Sequence, residues 1–193
     1  MKGPNSLYSL GQRLGLAATA HTIKLAQLVK HVRGNEGTNS KLEREVHEAW
    51  DKLARAAIAF TLRFMVVCGA GSRKKAREVE QTLNENLTRL EDPSGKFTQI
   101  IESLSGSART FATKMKELDA RCQETGVDPY KLGKSAEARE PLYWLSRGAI
   151  TFTMQLLVAC STTNQDAVRD KALETETALV AHLDNVPWYE GKS

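Results

Sequence analysis

Along almost the whole chain apolar residues return every three or four positions, and no stretch alternates apolar with polar residues long enough to read as a half-buried strand. The pattern predicts an all-α protein of about six long helices. The first runs from about Ser6 to Val32, with Leu14, Ala17, His21, Leu25, Leu28 and Val32 along one face, and stops in the Gly-rich RGNEGTN. Asn39 or Ser40 can cap the second, whose stripe is Leu42, Val46, Trp50, Leu53, Ala57, Phe60, Phe64 and Val67. GAGS at 69–72 interrupts or kinks it, since each Gly costs about 1 kcal/mol relative to Ala inside a helix. A third helix covers about Arg73 to Leu90, and DPSG at 92–95 starts the fourth with Pro93 in its first turn. That helix has the cleanest seam: Phe97, Ile101, Leu104, Ala108, Phe111, Met115, Leu118 and Cys122, in alternating steps of four and three. After the loop ETGVDPYKLGKS come a fifth helix, with Leu142, Leu145, Ala149, Phe152, Leu156 and Ala159, and a sixth from about Gln165 to Asn185.

Two of these helices are related. Laying KLARAAIAFTLRFMVVC (52–68) over WLSRGAITFTMQLLVAC (144–160), an offset of 92 without gaps, gives eight identities in seventeen positions. They are Leu53/Leu145, Arg55/Arg147, Ala57/Ala149, Ile58/Ile150, Phe60/Phe152, Thr61/Thr153, Val66/Val158 and Cys68/Cys160. Chance similarity between apolar helices keeps hydrophobic class; it does not also keep an arginine, a threonine and a cysteine. With long amphipathic helices flanking both copies, the chain reads as a tandem duplication of a helical unit, arranged as antiparallel bundles. A residue present in both copies belongs to the packing unit, so Arg55 and Arg147 are expected to lay their stems along the bundle and reach solvent or a carboxylate.

Composition removes several function classes. The 27 basic and 23 acidic residues are interspersed, leaving no stripe suited to a phosphate backbone, and only 6% of residues are aromatic, so stacking platforms for bases are scarce. Nucleic acid is therefore not an expected partner. Cys68, Cys122 and Cys160 are odd in number and widely spaced, which fits free thiols in a reducing, cytoplasmic compartment. The N-terminus lacks a secretory apolar core, and 144–160 is too short and too polar at its ends to span a bilayer. His21, His31, His47 and His182 are scattered; Glu43 with His47 is a lone pair on one face and no metal site. GAGSRKK lacks the G-x-x-x-x-G-K-[ST] spacing and a preceding strand, and SRKKAR reads as a solvated helix start. No nucleophile motif is present. The expectation is a protein that is not an enzyme and holds no cofactor or metal.

KLARAAIAFTLRF and YWLSRGAITFTMQLL, with the intervening NENLTRLEDPSGKFTQIIESLSGSARTFATKMKELDARCQE, resemble the α-catenin, α-catulin and vinculin superfamily, above all the N-terminal domain of α-catenin and α-catulin. The resemblance runs from about Leu16 to Asp184. It implies a four-helix bundle made by the third to sixth helices (73–193) and, in 1–72, only half of another, which a partner must complete. The implied partners are a second copy of the chain, making a dimer, or a catenin-type helix, with a direct or indirect link to actin. The function implied is a cytoplasmic scaffold or adaptor for cell adhesion and the cytoskeleton, at cell junctions. The docking surface on this reading is Leu14, His21, Leu25, Leu28, Val32, Leu42, Val46, Trp50 and Leu53. A second expectation comes from W-L-x-R-G at 144–148 with His182 downstream, which is locally similar to glycolipid transfer proteins and implies a helical lipid carrier. A third is a helical interaction module unrelated to adhesion.

Overall fold

The computed structural model describes residues 7–34, 39–87, 93–126, 136–161 and 164–183. These form six helices: α1 (Leu7–Arg33), α2 (Ser40–Val67), α3 (Arg73–Leu87), α4 (Pro93–Thr125), α5 (Ala136–Ala159) and α6 (Gln165–Ala181). The protein is all-α, with no strand among the described residues. The ends expected for the third and sixth helices, Leu90 and Asn185, lie outside the described residues, as does most of the loop before α5. No described helix is long and apolar enough to cross a membrane.

Local chemistry sets the starts and stops. Asn39 caps α2, its side-chain oxygen accepting from the Leu42 N–H at 3.1 Å. At the other end Gly69 takes φ +72°. The Gly69 N–H then donates to the Val66 carbonyl at 3.2 Å and the Ala70 N–H to the Met65 carbonyl at 2.9 Å. That pair of bonds closes the helix with a left-handed residue that glycine adopts without penalty. GAGS is therefore a helix stop, and Ser72 opens α3 by accepting from the Lys75 N–H at 3.2 Å.

The principal helix contacts form a closed ring: α1 packs on α2, α2 on α5, α5 on α4 and α4 back on α1, while α3 lies on α2 and α6 on α5. One apolar cluster draws on all six, from Leu7 and Leu14 through Leu53, Leu87, Phe111 and Phe152 to Leu179. These contacts cross the division expected at residues 72/73: α4 and α5 pack on α1 and α2 from within the chain. The physical reason is the clean seam of α4, which faces the small residues of α1. Gly11 lies against the Phe111 ring, and an added Cβ at Gly15 would sit 2.7 Å from the Ala112 Cβ and 2.9 Å from the Ala108 carbonyl oxygen. Tyr8 donates to Asp119 at 2.8 Å and meets Phe111 edge-on. As α1 numbers rise their α4 partners fall, so the two run in opposite directions.

The offset of 92 has a structural counterpart. Leu53 and Leu145, Ala57 and Ala149, Ile58 and Ile150, and Phe60 and Phe152 are all fully buried. The Thr61 and Thr153 hydroxyls lie 3.0 Å apart, so one twin pair meets where α2 crosses α5. Thr153 is also 2.8 Å from the Ala149 carbonyl, which gives both hydroxyls a partner in a buried position. The twin arginines behave as expected of packing residues. Arg55 reaches Asp51 at 2.8 Å, and exposed Arg147 lies over the Trp144 ring, 5.9 Å from its centroid.

Candidate functional site

The nine residues expected to form a docking surface divide by depth. Leu14, Trp50 and Leu53 are interior, and His21 and Val46 are buried with them. Leu25, Leu28 and Leu42 are half-buried, and Val32 alone is open to solvent. The first five are thus removed from the candidate surface, because the face they share is the one that the closed ring covers. Periodicity identifies an apolar stripe without saying what covers it.

What remains lies on α1, mostly in its far half. Leu16 is 71% exposed, Ile23 52%, Val29 40% and Val32 60%. Leu16 and Ile23 are seven residues apart and so share a face. Leu16 lies roughly 200° around the helix from buried Leu14. From Ile23 to Val32 the helix therefore carries apolar residues on more sides than its neighbours cover, a distribution normally found on a buried helix. Leu16, Ile23 and Val29 were missed in the sequence because they fall off the dominant stripe; the signal for Leu16 and Ile23 was a second, sparser spacing of seven.

This segment is held to α2 by Lys24, which donates to Glu45 at 2.6 Å. The bond and the nearby ammonium charge hold the Glu45 carboxyl below its usual range. Further in, His47 stacks on Trp50 with ring centroids 6.3 Å apart. Burial pushes the His21 imidazole below its ordinary value of 6.5. The unfolded chain takes up that proton near 6.5 and the folded chain only at lower pH, so the unfolded state binds more protons in between. Stability is therefore expected to fall as pH drops from 6.5 toward the depressed value. Urea unfolding of wild type and His21→Gln on either side of 6.5 checks this; the variant should lose less stability across the window, and an identical loss would rule out His21 as its source.

Other reactive groups are quiet. Burial pushes the Cys68 thiol up to about 11 and raises that of Cys160, so both are protonated near neutrality. Among the described residues no group of three or more His, Cys, Asp or Glu side chains could hold a metal ion. Compared with known proteins, the chain matches no family model, no curated protein and no solved structure.

Proposed function

We propose that this chain is a non-enzymatic helical interaction module that docks a partner helix on the exposed side of α1 that carries Leu16 and Ile23. The observation that carries the reading is the exposure of Leu16 and Ile23, which share one side of α1, roughly opposite the face that carries buried Leu14. An amphipathic helix laid along this face would bury Leu16 and Ile23, two turns apart, as i and i+7 anchors. The resemblance to the α-catenin N-terminal domain supports the kind of occupant: a catenin-type helix or a second copy of the chain, in a cytoplasmic scaffold at junctions or on the cytoskeleton, with actin reached directly or through a partner.

Leu16→Glu and Ile23→Glu test it, since both positions are exposed and neither change disturbs the core. Wild type is expected to self-associate in sedimentation equilibrium or to bind the α-catenin-binding helix of β-catenin in a fluorescence-anisotropy titration. Either variant should weaken that association by about tenfold or more, the cost of leaving a charge against an apolar contact. A wild-type chain that is monomeric and ignores the peptide would remove the proposal.

A further inference from the structure

A cavity of about 280 Å³ lies between the start of α1, the last turns of α2 and the first turns of α3. It is lined mainly by α2 and α3 and does not depend on the function of the exposed side of α1. Ala59, Leu62, Arg63 and Val66 face it from α2, and Arg73, Ala76, Arg77 and Glu80 from α3, with Leu10 closing the third side. Both sets follow the i, i+3, i+4, i+7 spacing of a single helical face. Among the described residues the lining is therefore an aliphatic floor with three guanidiniums against one carboxylate, an excess of two positive charges.

Packing does not require those charges. At the offset of 92 the second copy places Gln155 where the first has Arg63, Gln165 where it has Arg73, and Ala172 where it has Glu80; only Arg77 keeps its type, as Arg169. The α5–α6 pair is thus built without two of the three arginines. By the argument that assigns the shared Arg55 and Arg147 to the packing unit, Arg63 and Arg73, held by one copy alone, are not part of what the two copies share. Local electrostatics also oppose them: α3 opens with Arg73, Lys74 and Lys75 and has no acidic residue in its first turn, whereas a helix N-terminus favours negative charge.

We infer that this cavity binds a phosphate monoester on an aliphatic chain. Forked guanidiniums match phosphate oxygens two at a time, and the excess of two positive charges matches the −1.5 to −2 carried by such a phosphate near neutral pH. Among the described residues no aromatic side chain lines the cavity, so they offer no platform for a nucleobase. The volume sits at the small end of ligand pockets, room for the phosphate and the first carbons of its chain.

Octyl phosphate, titrated calorimetrically into the full chain, is the probe. Saturable one-to-one binding is expected, weakening as salt rises and lost by about tenfold or more in the double variant Arg63→Gln with Arg73→Gln, which copies the second repeat. Arg77→Gln, on an exposed residue, repeats the test if the double variant unfolds, and circular dichroism reports the fold of each. Co-sedimentation with phosphatidylcholine vesicles carrying phosphatidic acid assigns the ester to a lipid headgroup; octyl phosphate binding without it assigns a soluble ester. No saturable binding of either probe overturns the inference. So does equal binding by folded variants, or inorganic phosphate binding as tightly as octyl phosphate.

Discussion

Phe60→Ala and Phe152→Ala are each expected to lower the free energy of unfolding by about 3–5 kcal/mol, the cost of emptying a fully buried aromatic site. Both rings have no solvent exposure, and Phe152 packs on Phe97 with centroids 5.9 Å apart. Against a typical total of about 5–15 kcal/mol, either loss removes a large share of the stability of the chain. The two changes should also cost similar amounts, because the residues are twins at an offset of 92 and sit on the helices that meet at Thr61 and Thr153. Urea denaturation of both variants measures this. A loss below about 1 kcal/mol in one and a full loss in the other would show that the two copies do not play equivalent parts in the core.

Much of this was legible in advance, for reasons that can be named residue by residue. The helices follow from a spacing that only a helix turns into one face, and their ends from residues with a single local role: Asn39 accepts from Leu42, and Gly69 takes the left-handed conformation. The repeat was visible because identity extended to Arg55, Thr61 and Cys68, residues that hydrophobicity does not choose. Partner choice among the stripes was not legible. α1, α2, α4 and α5 each present a similar apolar face, and several closed arrangements satisfy all four. Leu14, Trp50 and Leu53 consequently read as available when they are interior. Of the nine candidate residues only Val32 is open to solvent. The cavity between α2 and α3 was invisible because its arginines come from two helices whose facing register only packing defines; SRKKAR on its own reads as a solvated start.

The choice among arrangements does leave one trace, in Gly11 and Gly15, and substituting it gives the second large effect. Gly15→Ala is expected to destabilise the protein even though it improves helix propensity. The propensity gain is about 1 kcal/mol. Against it, the new Cβ would stand 2.7 Å from the Ala112 Cβ and 2.9 Å from the Ala108 carbonyl oxygen, and neither is the end of a side chain that can rotate away. Overpacking of this kind costs about 1–3 kcal/mol or more, so the contact outweighs propensity and α1 must shift away from α4. Gly106→Ala is the control. It makes the same change inside α4, but a Cβ there meets nothing within 4 Å, so stability should rise by up to about 1 kcal/mol. Opposite shifts in thermal midpoint separate close approach from propensity, which acts with one sign at both sites. If Gly15→Ala also raised the midpoint, α1 could not lie this near α4, and the α1–α2 pair would need another element to cover Leu14 and Leu53.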